Sequence, residues 1–360
     1  MTKDLMDILT KSITMALLLA AASCGRPEQP PAHPEKKSVY YWKTTFDTGS
    51  DDMGLLLRHG IGRVYLRMFD VVADPYPCDS KAENRAVPNA SVRVSDTGER
   101  LAGDLADIEF VPVVYVTLDA LKAMKGYEGV LASNIVTRVR NMCEYNGLSN
   151  VSELQLDCDW TPSTEGSFFS LCDSARRIMR SPEYGWSLSS TIRLHQLARK
   201  APPVDRGVLM VYNTGSFDNP DASNSIIDAD DVRPYLRHLP SYGLHLDVAY
   251  PAYSWQLLFR DRRFVGLMDG ADLGDTTAFA RRRANVYAAL RDVPYRNTVI
   301  RAGDMVRAEA SAFADIAKVK AMIERCMSAR PHSNIIYHLD SANLSKYKPD
   351  EIDEMLSTGR

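Results

Sequence analysis

A chain of 360 residues, 45% of them hydrophobic, is long enough for one large packed domain or two ordinary ones. Its formal net charge of -3 provides no basic excess, so the electrostatic footprint of a sequence-independent nucleic-acid binder is absent and no nucleic-acid partner is expected.

Lys3 and Lys11 precede an apolar run from Ile13 to Ala22, the length of a signal-peptide core and too short to span a bilayer. Small residues then lead into Cys24 and Gly25, a stretch that resembles a bacterial lipobox. The expectation is a leader over 1–23, a lipidated Cys24 that holds the protein to a membrane of the bacterial cell envelope, and a Pro-rich, charged tether over 24–38. An ordinary secretory signal with an incidental cysteine is the alternative. No acidic run follows Cys24, which favours the periplasm-facing side over the cell surface. The folded domain is expected over 39–360.

The five later cysteines, Cys78, Cys143, Cys158, Cys172 and Cys326, form no CxxC pair and no Cys/His metal spacing, so no metal site is expected. Cys143, Cys158 and Cys172 fall on neighbouring elements and read as buried thiols, with a disulfide as the alternative.

Val39 to Phe46 is aromatic and β-branched and reads as a first strand, followed by a short helix from Asp51 to His59. Arg63 to Val71 is a second strand with Val64, Leu66 and Met68 on one face, Tyr65, Arg67 and Phe69 on the other, and Asp70 at its exit. A long loop without sustained periodicity runs from Val72 to Asp107. Glu109 to Thr117 is a nearly continuous apolar strand, and Gly129 to Tyr145 carries Leu131, Ile135 and Val139 at helical spacing. The fourth strand is Glu153 to Asp159. Its period of two puts Leu154, Leu156 and Cys158 on one face and Gln155, Asp157 and Asp159 on the other.

A helix over Ser163 to Ser181 leads to a fifth strand, Trp186 to Leu194, and Arg206 to Asn213 is a sixth. A polar loop from Thr214 to Ala229 precedes a short helix at Asp230 and Asp231, and Gly243 to Tyr250 is the seventh strand. The pattern then loosens into an insertion: a hairpin over Gln256 to Met268 turning at Asp261 and Arg262, a basic helix over Thr276 to Leu290, and an extended piece over Thr298 to Arg307. An amphipathic helix over Ser311 to Met327, an eighth strand over Asn334 to Asp340 and a helix started by Pro349 end the chain. Eight strands separated by helices, with the long polar loops following strands, predict a (β/α)8 TIM barrel with elaborated βα loops and an insertion after strand 7. An open doubly wound sheet is the alternative, but no glycine-rich phosphate loop follows the first strand and no cofactor is expected.

In such a barrel, strand C-termini carry the site. Asp157 and Asp159, on one face at such an end, suit acid and base chemistry or the capping of the next helix. Around them Trp42, Trp160, Tyr212, Tyr250, Tyr253 and Trp255 offer planar rings for sugar faces, and Arg67, Arg193, His195, Asn213 and His338 offer hydrogen bonds to hydroxyls. Asp70, Asp247, Glu309 and Asp340 are candidates for a second carboxylate. Asp247 lies mid-strand and suits equally a buried ion pair with Arg193 or Arg67. No Gly-x-Ser-x-Gly elbow supplies an acyl-transfer nucleophile.

The strand LQLDCDWT (154–161) resembles the fourth strand of chitinase-type glycoside hydrolases, whose pattern is Asp, two residues, Asp, one, Asp, one, Glu, with the glutamate as general acid. Together with WKTTF, RMFDV, STIRLHQ, MVYNTG and AYPAYSW it resembles, over essentially all of the mature chain, an uncharacterised group of bacterial lipoproteins with glycoside-hydrolase-like barrels. The resemblance implies a barrel that acts on or binds carbohydrate. In one frame Asp157 and Asp159 match the last two aspartates and Thr161 stands where the acid would be; in the frame shifted by two, Asp159 takes the acid position. The two readings are a glycoside hydrolase with Asp157 and Asp159 at its centre and Asp159 as acid, and a non-catalytic barrel that binds a glycan or another envelope component, having lost the acid at Thr161.

Overall fold

Eight parallel strands, β1 (Ser38–Tyr41), β2 (Arg63–Ala73), β3 (Glu109–Val116), β4 (Glu153–Asp157), β5 (Ser187–Arg193), β6 (Arg206–Met210), β7 (Leu246–Pro251) and β8 (Asn334–Tyr337), follow one another around a ring. The ring closes because β1 pairs on both sides, Val39 lying opposite Val64 of β2 and Ile336 of β8. This computed structural model describes residues 35–76, 85–96, 100–268, 270–296, 298–327 and 330–357. Cys24, the leader and Cys78 lie outside them.

The strand alternation read from the sequence sorts the two cores. Val64, Leu66, Leu154, Leu156, Cys158, Ile192 and Val248 face outward into a core shared with the helices. Tyr40, Tyr65, Val111, Val113, Val208, Met210, Ala249 and Ile335 fill the barrel itself. The outer layer includes α1 (Asp51–Arg58), α2 (Glu128–Tyr145), α3 (Glu165–Met179), α4 (Phe313–Met327) and α5 (Pro349–Leu356). Helix α2 buries Leu131, Ile135 and Val139, one stripe at 3.6-residue spacing. After β5 the connection is a 3-10 turn, Leu194–Ala198, in place of an α-helix. No helix among the described residues is long and apolar enough to cross a membrane.

Three expectations need correction. In β2 a register shift between Arg67 and Phe69 inserts an extra residue, so Phe69 joins the outer core and Asp70 returns to the side of Arg67. The stretch expected as a basic helix is instead two antiparallel strands, Phe279–Arg283 and Val286–Ala289, paired Phe279 with Ala289. They belong to a five-stranded sheet with Ser254–Arg260, Arg263–Met268 and Met305–Ala310, which forms the insertion after β7. The loop after β2 also carries short strands, Ala86–Asn89 against β2 and Arg93–Ser95 against Thr45–Asp47. The hairpin turn is where it was expected: Asp261 and Arg262 have φ of 47 and 63, the sign that a two-residue hairpin turn requires at both positions.

A ring of charge seals the N-terminal end of the barrel. Arg63 donates to Glu109 at 3.0 Å, and Arg206 lies 3.6 Å from Asp247 and 4.0 Å from Glu153. Asp247 also accepts the Ser333 N–H at 2.7 Å. Asp247 is thus a buried ion-pair partner, but of Arg206 at the bottom of the barrel and not of Arg193 or Arg67 at the top. Cys143, Cys158, Cys172 and Cys326 are free thiols.

Candidate functional site

On the inner face of β4, Gln155 lies deepest. It accepts from the Tyr40 hydroxyl at 2.6 Å and donates to Ser189 Oγ at 3.1 Å, which fixes the strand's register inside the barrel. One step towards the C-terminal rim, Asp157 Oδ1 accepts from Thr191 Oγ1 at 2.5 Å and from Arg193 Nη2 at 3.0 Å. One further step along, Asp159 Oδ1 accepts from Arg193 Nε, and Asp159 Oδ2 receives the Tyr115 hydroxyl at 3.5 Å. The two carboxylates therefore share one guanidinium. Arg193 is in turn positioned by Gln196, whose Oε1 accepts the Arg193 N–H at 2.8 Å while its Nε2 donates to the Trp160 carbonyl at 3.0 Å.

The pair is unequal in exposure. The Asp157 side chain is 4% exposed and that of Asp159 45%. Burial pushes the Asp157 carboxyl up, and although Arg193 pulls it back, the Asp159 charge adds to the rise, so the net shift is above the ordinary carboxylate range. Burial and the charges of Asp159 and Asp157 push the Tyr115 phenol up to about 12, so it remains a proton donor towards Asp159. Arg193 Nη1 is buried with no hydrogen-bond partner among the described residues. Arg193 and Asp159 open onto a cavity of about 240 Å³ that also meets His195, Tyr212, Asn213 and Tyr235.

Aromatic rings continue around the rim from this cavity. Tyr212 stacks on Tyr337 with centroids 4.3 Å apart and planes at 23°, and Tyr337 lies 5.7 Å from Trp42. Arg67 sits 5.7 Å over Trp42 and donates to both oxygens of Asp70, at 3.0 and 2.6 Å, a bidentate pair that the bulge in β2 makes possible. On the other side Tyr253 donates to Asn213 Oδ1 at 2.6 Å and lies 5.5 Å from Trp255, whose Nε1 donates to Glu309 at 2.7 Å. Asn213 holds a left-handed backbone, φ 51, which turns the chain out of β6 at this point.

The structure thus brings Asp157, Asp159, Arg193, His195, Tyr212 and Asn213 together, with Trp42, Arg67, Asp70 and Trp255 along the rim. It places five others elsewhere or in other contacts. Trp160 is 1% exposed and packs on Phe168 and Phe169 of α3, because its parity is that of Cys158 and not of Asp159. Tyr250 is fully buried in the outer core, sharing the parity of Leu246 and Val248. Asp340 caps the turn Ser341–Leu344 through the Asn343 N–H and pairs with Lys43 at 2.8 Å, so its carboxylate is already engaged. His338 sits edge-on to Tyr337 at 5.5 Å, its ring nitrogen 3.2 Å from the Leu339 carbonyl, and burial lowers its pKa. Glu309 is likewise occupied, by Arg307, Ser225 and Trp255. No group of three or more His, Cys, Asp and Glu among the described residues is arranged to hold a metal ion.

Tyr115 and Tyr337 are site residues that the sequence reading missed. Period-two parity from Val113 and from Ile335 would have found both, since each is the next inward position of its strand.

No protein-family model matches this chain, and no curated protein matches it. Among solved structures it is similar to a chitinase from Bacteroides thetaiotaomicron, with 10% identity over 89% of this chain and 96% of that one and a TM-score of 0.51. It is also similar to the spore cortex-lytic enzyme SleL of Bacillus cereus (13% identity, 89% and 75% covered, TM-score 0.49). A glycoside hydrolase family 18 N-acetylglucosaminidase from Paenibacillus barengoltzii is a third (10% identity, 89% and 99% covered, TM-score 0.48). At such identities the likeness is distant and is one of fold: the chain has a (β/α)8 barrel similar to that of a chitinase.

Proposed function

We propose that the barrel rim binds an oligosaccharide without cleaving it, and that the protein is held in the bacterial cell envelope by a lipid on Cys24. The observation that carries the first half is the grip of Arg193 on both carboxylates. Cleavage of a glycoside needs one carboxyl that both holds a proton and reaches the leaving oxygen. Asp157, whose pKa is raised by burial, is the better placed of the two to take up a proton but does not reach the cavity; Asp159 reaches the cavity and is taken up by Arg193. Thr161 pairs its hydroxyl with Ser163 Oγ at 2.9 Å, ahead of α3, and has no carboxyl to serve as acid. What remains is a surface for sugar: Trp42, Tyr337, Tyr212, Tyr253 and Trp255 as stacking planes, with Asn213, His195 and Asp159 at hydroxyl height.

Hydrolysis with Asp159 as acid is the second reading, favoured by the exposure of that carboxyl in the cavity. A glycan array read alongside reducing-end release separates the two. Binding without release by the wild type, with Tyr212→Ala binding at least about tenfold more weakly as expected for a lost stacking plane, supports the binder. Release by the wild type that disappears in Asp159→Asn establishes the hydrolase instead.

A further inference from the structure

The insertion carries a second cavity that the rim does not use. Between Ser254 and Ala310 the chain holds ten arginines and no lysine. Four of them, Arg262, Arg282, Arg283 and Arg307, line a hole of about 200 Å³ with Phe259 and Met305. Two of these charges are answered locally: Arg262 pairs with Asp221 at 2.5 Å and Arg307 with Glu309 at 2.6 Å. Arg283 donates only to the Pro220 carbonyl at 2.8 Å, and Arg282 has no acidic partner among the described residues. Asp221 also feels the charge of Arg283, so four guanidinium groups around one small cavity meet two carboxylates, Asp221 and Glu309, and leave an excess of positive charge. Arginine's planar fork suits a carboxylate or sulfate better than a lysine ammonium would.

The same loop borders both cavities. Asn213 and Thr214 line the one at Asp159, and Pro220 and Asp221 line the one among the arginines. The seven steps from Asn213 to Pro220 bound their separation at about 25 Å. We propose that the arginine cavity is a subsite for an acidic substituent, carboxylate or sulfate, on an oligosaccharide that lies across this loop from the rim. The inference rests on the carbohydrate reading of the rim, and it makes the ligand an acidic glycan.

The test is calorimetric titration of the purified chain and of an Arg282→Gln/Arg283→Gln double variant. The probes are an oligogalacturonate, a sulfated galacto-oligosaccharide and a neutral galacto-oligosaccharide of equal length. Both arginines are exposed, and retention of the wild-type melting temperature verifies that the variant folds. The expected result is at least about tenfold tighter binding of one acidic probe than of the neutral one, weakened by salt and by inorganic sulfate and abolished in the double variant. Whichever acidic probe wins identifies the substituent. Equal binding of acidic and neutral probes, or an unchanged preference in the double variant, overturns this subsite and leaves the rim reading standing. Binding of no saccharide overturns both. Arginine-dependent sedimentation with phosphatidylglycerol vesicles and no acidic-glycan preference overturns it in favour of a lipid headgroup.

Discussion

Two aspartates lie buried on the inner faces of strands in the same barrel, Asp247 towards its N-terminal end and Asp157 towards its C-terminal end, and their environments drive them in opposite directions. Burial raises both. At Asp247 the neighbouring His245 ring, the hydrogen bond from the Ser333 N–H and the charge of Arg206 outweigh it, and the carboxyl falls below its ordinary range. At Asp157 Arg193 is shared with Asp159, the second carboxylate repels, and the carboxyl rises. At the bottom end Asp247 has Arg206 and the Ser333 N–H as partners, while at the top end one guanidinium serves two carboxylates and its Nη1 is buried with no hydrogen-bond partner among the described residues. A carboxyl with a raised pKa at the C-terminal end and one with a lowered pKa at the other is the division expected of a barrel whose rim serves a ligand.

The largest effect should come from breaking the bottom end. Asp247→Asn leaves Arg206 with only Glu153 in a buried site and should cost about 3 to 5 kcal/mol in urea unfolding, with oligosaccharide affinity unchanged. Leu156→Ala, in the outer core beside both networks, should cost about 2 to 5 kcal/mol as a large truncation. Asp157→Asn sharpens the contrast: it removes a charge that burial and Asp159 disfavour, and should cost less at neutral pH than Asp247→Asn.

Its pH signature is more telling. Folded Asp157 binds its proton more tightly than the unfolded chain does, so wild-type stability should fall as pH climbs from about 4 through the raised value. The Asn variant should lose that component of the slope, while Asp247, lowered on folding, adds stability that disappears as pH falls below about 4 in both proteins. An identical pH slope between pH 4 and 7 for wild type and Asp157→Asn would contradict the assignment. Arg193→Gln should weaken oligosaccharide binding about tenfold by removing a charged donor. Smallest in its effect on the fold is Cys24→Ala, expected to move the protein from the membrane to the soluble fraction with its melting temperature unchanged.

The barrel is legible because its strands obey a period of two and its helices 3.6, and those rules place Leu156 outside and Asp157 inside. The bulge at Met68 was not legible: an extra residue in β2 leaves the alternation of types intact while reversing the side on which Phe69 falls. Thr276 to Leu290 was misread for a different reason. Its alanines and arginines are strong helix formers, and pairing with Met305–Ala310, far along the chain, overrides that preference. At the site, the pairing of Arg193 with both aspartates could not be read from spacing, because it depends on the lateral stagger of β4 against β5. Trp160 illustrates the same dependence on parity: one residue from Asp159, it faces the helices.

The loop after β6 is fastened almost wholly to the insertion. Arg307 grips the carbonyls of Phe217 and Asn219, Arg283 that of Pro220, Asn285 that of Ser223, Arg262 the Asp221 carboxylate, and Asn224 reaches back to Ala310. The two segments are therefore one cassette split by β7 in the sequence. A chimera that exchanged the five-stranded sheet with another barrel and left the loop behind would strand four of its carbonyls without their donors. Moving both together carries the fastening intact, so recombination between such barrels should respect a pair of breakpoints on each side of β7 and not a single one.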